Sequence, residues 1–245
     1  MRSIYRYQTD SRGFTLIEIA VVLLIISILV TMVAVPLTTQ IDTQKTVDTQ
    51  RQLEQIKEAI YGFAMANGRL PCPAITGAAS AVEAPVGGGV CTQPRGFLPA
   101  VTLGVTGLDS NGYLVDGWND GDVSRRIRYA VSTANSNALT TVDGVKTPTM
   151  TTVSAATHLY VCATGLAAAP PTSDCGTMTV LTDKAPFVIF SLGKSSAQNS
   201  FDETNNQNND VVFTSGTPLP TFDDLVTWGS LNTLFARMVQ AGKLP

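Results

Sequence analysis

Residues 14–35 read FTLIEIAVVLLIISILVTMVAV, 22 positions of which only Thr15, Glu18, Ser27 and Thr31 are polar. A helix rising 1.5 Å per residue would extend about 33 Å over this run, close to the roughly 30 Å hydrocarbon core of a bilayer. No second run of this kind follows, so the sequence predicts a single crossing. The preceding residues, MRSIYRYQTDSRG, carry Arg2, Arg6 and Arg12 against Asp10. A secretory signal has an apolar region of about 7–15 residues and then a small-residue cleavage site. Here the run is longer, Pro36-Leu37 follows it, and the small residue, Gly13, stands in front. Cleavage after Gly13 would discard a basic leader and keep the membrane helix.

Three segments follow from this reading: a leader at 1–13, an N-terminal helix at 14–66 with 14–35 transmembrane, and a globular head at 67–245. Three arginines precede the span but Lys45 and Arg51 lie soon after it, so the positive-inside bias is slight. Cys72, Cys91, Cys162 and Cys175 all fall in the head, which suits an oxidising compartment outside the cytoplasm.

Glu18 stands inside the apolar run. A carboxylate in a membrane span costs about 2.5–3.5 kcal/mol if central and less near an edge. Five residues into the processed chain, Glu18 would lie roughly 6 Å deep along the helix. It could simply snorkel to the interface, or it could await a cation from another subunit. Cleavage after Gly13 would create such a cation, the new amino group of Phe14.

The rest of the composition narrows the function classes. Hydrophobic residues make up 44% of the 245 residues and charged residues 14%, against roughly 25% charged in an average soluble domain, so the chain is no solvated disordered polymer. The net charge of -3 offers no basic excess to neutralise phosphates, so nucleic-acid binding by bulk electrostatics is not supported. One histidine, His158, and four cysteines without paired CxxC spacing exclude most zinc sites.

The segment Arg12-Gly13-Phe14-Thr15-Leu16-Ile17-Glu18, followed by the unbroken apolar run, resembles the N-terminus of type IV pilins and type II secretion pseudopilins. That resemblance implies cleavage between Gly13 and Phe14 by a prepilin peptidase, N-methylation of Phe14, and contact of Glu18 with the Phe14 amine of a neighbouring subunit. Pro36 resembles the proline that kinks the family's helix. The implied fold class is α+β: a long transmembrane helix packed at its far end on an antiparallel β-sheet head. The implied partners are copies of itself or other pilins, the peptidase and an inner-membrane assembly platform. The implied location is the bacterial inner membrane with the head in the periplasm, and then a pilus or pseudopilus.

Past Pro36, residues 38–52 are rich in Thr and Gln and nearly lack an apolar stripe. They read as an interruption, either a locally unwound section or a plain solvated helix. Leu53, Ile56, Ile60 and Phe63 restore helical spacing, and Asn67-Gly68 with Pro71 stops the helix. In the head, short strand-like runs at 126–132, 158–162, 178–181, 186–192 and 210–213 predict an antiparallel sheet laid on the helix. Ser230 can cap a short helix carrying Leu231, Leu234, Phe235 and Met238, ended by Gly242. Residues 196–210 are polar and Asn-rich and read as an exposed loop. Local disulfides, Cys72 with Cys91 and Cys162 with Cys175, are expected, although four cysteines allow three pairings.

NGRLPCPA at 67–74, DGWND at 116–120, APFVIFSLGK at 185–194 and DDLVTW at 223–228 are similar to segments in the heads of pseudopilin-like proteins. In some major pseudopilins a late acidic loop binds calcium. The corresponding oxygen ligands here would be Asp202, Glu203, Asp210, Asp223 and Asp224, against a plain solvated acidic loop with no cofactor.

Other motifs carry less. Ser191-Leu-Gly-Lys194 fits S-x-x-K but lacks its companions, and Gly193-Lys194-Ser195 lacks the earlier P-loop glycine. The acidic run 116–122 departs from the EF-hand pattern at Trp118. His158, in an HLYV run, reads as structural rather than as a triad base. The leading expectation is therefore a structural filament subunit, not an enzyme. The alternatives are a minor, tip-located pilin acting as an adhesin or binding module, and a membrane-tethered periplasmic enzyme.

Overall fold

A computed structural model describes residues 13–166, 168–169 and 171–245, with the backbone alone for 31–38. The leader residues 1–12 lie outside the described residues. The chain divides into two compact units, Met1–Gln44 and Lys45–Pro245. Helix α1, Leu16–Asn67, runs for 52 residues and belongs to both.

In the first unit every described side chain from Phe14 to Val30 is exposed. Among the described residues no helix is long and apolar enough to cross a membrane. The apolar run with described side chains stops at Val30, so the last five residues of the expected span, 31–35, fall outside it. The backbone continues as helix through Pro36.

Across 38–52 α1 is continuous, the helical one of the two alternatives read there. Its later part, in the second unit, shows why poor propensity is overridden. Thr49 is buried and accepts the Gly117 N–H at 3.0 Å, and Gln52 donates to the Val115 carbonyl at 3.1 Å. A Cβ on Gly117 would lie 3.0 Å from both the Lys45 carbonyl oxygen and Thr49 Oγ1, so glycine permits this approach. Asn67 ends the helix, with Gly68 at φ +70° and its N–H on the Ala64 carbonyl at 2.8 Å.

The second unit adds strands β1 (Arg95–Phe97), β2 (Arg128–Val131), β3 (Leu159–Ala163), β4 (Val180–Ala185), β5 (Phe187–Ser191), β6 (Val212–Ser215) and β7 (Leu225–Trp228). Its helices are α2 (Ala100–Leu103), α3 (Ala134–Asn137), α4 (Met150–Ala155), α5 (Phe201–Gln207) and α6 (Leu231–Gln240). The strands form two sheets rather than the one expected. One is antiparallel in the order β1-β2-β5-β7; the other runs β4-β3-β6 and is mixed, because β3 pairs with β6 in parallel.

Strand β5, FVIFS, is buried along its whole length and explains the layering. Phe187 and Ile189 join Tyr129, Val131, Leu53, Ile56, Ile60 and the α6 residues Leu234 and Met238 in the larger core. Val188 and Phe190 join Leu159, Val161 and Phe213 of the second sheet. Period-2 alternation thus sends neighbouring residues into opposite cores. Phe187 stacks edge-on against Tyr61, with ring centroids 5.4 Å apart. The Tyr61 hydroxyl accepts the Ser230 N–H at 2.7 Å, and Ser230 caps α6 through the Thr233 N–H.

Both local disulfides form, Cys72–Cys91 and Cys162–Cys175. Beside the first lies a buried ion pair that the sequence reading missed. Arg69 grips Glu83 with two hydrogen bonds, 2.8 and 2.6 Å, and Cys72 N–H and Gly87 N–H complete the carboxylate's partners. Burial pushes the Glu83 carboxyl up, yet the Arg69 hydrogen bonds, with those N–H groups, hold it below its ordinary value. Glu83→Gln should cost about 3–5 kcal/mol in chemical unfolding, because it leaves the Arg69 charge buried and unpaired. A loss below about 1 kcal/mol would mean that Arg69 finds another anion.

Candidate functional site

At the start of α1 the Gly13–Phe14 junction is open. Phe14 is 79% exposed, and a Cβ on Gly13 would meet nothing within 4 Å. Thr15 and Glu18 bond reciprocally: the Glu18 N–H donates to Thr15 Oγ1 at 3.3 Å, and the Thr15 N–H donates to Glu18 Oε2 at 3.5 Å. This is a capping box, with Thr15 at the N-cap and Glu18 three residues on. Its T-x-x-E signature stands in the sequence, where the apolar run draws attention to Glu18 as a charge in a membrane span rather than as a cap. The box puts a carboxylate on the positive end of the helix. Phe14, Glu18, Ile19, Val22 and Leu23 lie side by side on α1, all exposed, and Glu18 is the carboxylate among them. An acid on an exposed apolar helix surface suits an amine carried on an apolar partner. Pro36 lies within α1, but its side chain is outside the described residues.

The five acidic residues near the C-terminus separate into two sets. Glu203, Asp223 and Asp224 converge, with one oxygen of each within 4.8 Å of the others. Asp202 instead accepts the Gly165 and Leu166 N–H groups at 3.0 and 3.2 Å. Asp210 faces Arg95 at 3.6 Å, and Arg95 in turn lies 4.1 Å over the Phe213 ring. The segment expected to be an exposed loop contains α5, whose Asp202, Glu203, Asn205 and Asn206 are buried. Its polarity concealed the helix: the inward face is held by hydrogen bonds, Asn205 to Thr214 Oγ1 and Asn206 to the Thr214 carbonyl, both at 2.9 Å.

Within the converging set, Glu203 accepts from the Asn199 and Asp223 N–H groups, and Asp223 accepts from the Ser195 N–H and hydroxyl. Asp224 Oδ2 accepts from Asn206 at 2.9 Å, while its buried Oδ1 has no partner among the described residues. Burial, then the charges of Glu203 and Asp223, push the Asp224 carboxyl up to about 8 despite the Asn206 bond. Burial likewise raises Glu203, with Asp223 adding to it. The residues present fit a hard cation: three carboxylates, one with an orphaned buried oxygen.

The remaining motifs are structural. Ser191 donates to Asp116 Oδ2 at 2.6 Å in the interior, so S-x-x-K holds no free nucleophile. Gly193, at φ +63°, lies so close to Asp223 that a Cβ would stand 2.1 Å from its carbonyl oxygen. Asp120 pairs with Arg125, and Asp122 caps the turn at Val123–Arg125.

His158 is buried between Ser132 Oγ and the Val153 carbonyl, each 2.8 Å from a ring nitrogen. The carbonyl can only accept, so Nε2 carries the proton and Nδ1 accepts from Ser132. Burial, helped by Lys184 and opposed by the Val153 bond, holds the imidazole below its ordinary 6.5. The fold therefore favours the neutral ring. Its contribution is complete above about pH 6.5 and is lost as pH falls through the lower folded-state value. Thermal melts should show the parent chain losing more stability than His158→Gln between about pH 7.5 and 5.5. Parallel pH profiles would contradict a buried neutral ring.

No curated protein and no solved structure matches the chain. Residues 9–34 match the family described as the prokaryotic N-terminal methylation motif. The match covers the Gly13–Phe14 junction, the capping box and the start of the apolar helix. The chain thus carries the N-terminal signature of the type IV pilins and pseudopilins.

Proposed function

We propose that the chain is a structural subunit of a type IV pilus or type II secretion pseudopilus-like filament. A prepilin peptidase cuts after Gly13, Phe14 is N-methylated, and residues 14–35 anchor the precursor in a bacterial inner membrane with the head in the periplasm. An assembly platform then packs the apolar helix against those of other pilin copies, and Glu18 receives the Phe14 amine of a neighbour. The observation that carries this reading is the exposed apolar helix surface at Phe14–Val30 behind an open Gly13–Phe14 junction. Leaving such a surface in water forfeits about 25 cal/mol per Å².

The capping box adds a detail to the role of Glu18. A carboxylate has room for about four donors, so Glu18 can keep the Thr15 N–H and still take an amine. The alternative of a tip adhesin drew on the larger head and on a long Asn-rich loop, of which Phe201–Gln207 form α5 with Asp202, Glu203, Asn205 and Asn206 buried.

Mass spectrometry of native protein should find a methylated N-terminus at Phe14; a chain still beginning at Met1 would overturn the proposal. Glu18→Ala should be cut normally yet fail to enter filaments, as read by shear fractionation. Normal assembly would remove Glu18 from the mechanism.

A further inference from the structure

We infer that Val86, Val90 and Val142 form an apolar patch that docks into a groove between α1 and β7 of a second copy of this chain. The contact rests on the proposed filament and gives it the surfaces by which neighbouring second units meet. The three valines are 79%, 72% and 56% exposed, more than any other large apolar side chain among the described residues of the second unit. They belong to two loops that are zipped together. The Gly89 N–H donates to the Thr140 carbonyl at 2.9 Å, and the Thr140 hydroxyl donates to the Gly89 carbonyl at 2.7 Å. Exposed apolar residues scattered singly are ordinary, whereas a cluster of them marks a contact.

The patch is braced from behind. The Gly87 N–H donates to Glu83, which Arg69 grips, and Cys91 is tied to Cys72. The Leu70 N–H reaches the Leu139 carbonyl at 2.7 Å. A Cβ on Gly88 would stand 2.4 Å from the Thr140 carbonyl oxygen, so glycine lets the two loops close on each other. In front, a Cβ on Gly87 or Gly89 would meet nothing within 4 Å. Such a loop offers apolar contact with little ordering left to lose on binding.

The occupant follows from position. Arg69 and Leu70 come just after α1, so the patch marks the end at which the helix leaves the second unit. A groove of about 310 Å³ lies nearer its entry, between Gln50, Leu53 and Glu54 of α1 and Leu225, Val226 and Thr227 of β7, the edge strand of its sheet. Leu53 and Leu225 are buried there and give it an apolar floor. From Leu53 to Asn67 the helix rises roughly 21 Å. Parallel copies displaced along their helices by about that much set the patch of one against the groove of the next. Patch and groove are different surfaces of one chain, so the contact is heterologous and repeats without closing, as a filament requires.

The test places photoreactive benzoylphenylalanine at position 86 of the full-length chain, illuminated in cells. Adducts joining two chains are expected, mapped by mass spectrometry to residues 50–54 or 225–227 of the second chain. The charge lining the groove is Glu54. Val90→Asp should therefore lower the adduct yield about tenfold, and Val90→Lys should lower it less. Adding Glu54→Lys should reverse that order, which lost folding would not do. Melting temperatures of these surface variants should stay within about 2 °C of the parent's. Such adducts in cells that yield no sheared filaments would keep the contact and remove the filament. Filaments without chain-to-chain adducts, or with adducts that map to other residues or to another protein, would keep the filament and overturn the contact, and so would an order of Val90 variants that Glu54→Lys leaves unchanged.

Discussion

An apolar helix whose described side chains stand exposed has to be covered by something else. From Phe14 to Val30 every side chain is exposed, while the core of the second unit draws on α1 only from Leu53 onward. Soluble proteins rarely show contiguous apolar surface beyond a few hundred Å², and larger areas mark membrane or protein contacts. Lipid before assembly and other pilin helices afterwards are the two environments that satisfy this surface in the proposed function. Glu18 fits both, because its carboxylate caps its own helix while leaving capacity for a second donor.

The second unit has a core of its own. Strand β5 is covered on one side by α1 and α6 and on the other by the second sheet. The polar section of α1 is fastened at Gly117 and Val115 rather than by an apolar stripe. The Cys72–Cys91 disulfide and the Arg69–Glu83 pair brace the loops after α1, and Cys162–Cys175 ties β3 to the loop that follows it. Fastening by hydrogen bonds and charges recurs in α5, where a buried polar face stands in for hydrophobic packing.

What could be read from the sequence depended on whether the signal was local. The N-terminal methylation motif was legible because Gly13, Phe14, Glu18 and the apolar run lie within a few residues of one another. The runs behind β2, β3, β5 and β6 were legible from apolar and β-branched clusters, and α6 from Ser230 and its apolar face. Strand β1 was missed because Arg-Gly-Phe is three residues with no alternation; it is a strand because it pairs with Arg128–Ala130. Strand β7 sits behind two aspartates and pairs with β5 across a long sequence gap. The second sheet depends on parallel pairing of β3 with β6, a non-local choice that no turn signal announces. Helix α5 was missed because its inward face is Asp and Asn. For the same reason, only the fold could separate the three converging carboxylates from Asp202 and Asp210.

The most direct measurement concerns which chain supplies the amine that meets Glu18. Filaments assembled from mixed isotope-heavy and isotope-light subunits can be treated with a zero-length carboxyl-to-amine cross-linker and analysed by mass spectrometry. The account predicts Glu18–Phe14 cross-linked peptides that join a heavy chain to a light one. Cross-links confined to single chains would show that Glu18 serves only its own helix end and would contradict assembly through this contact.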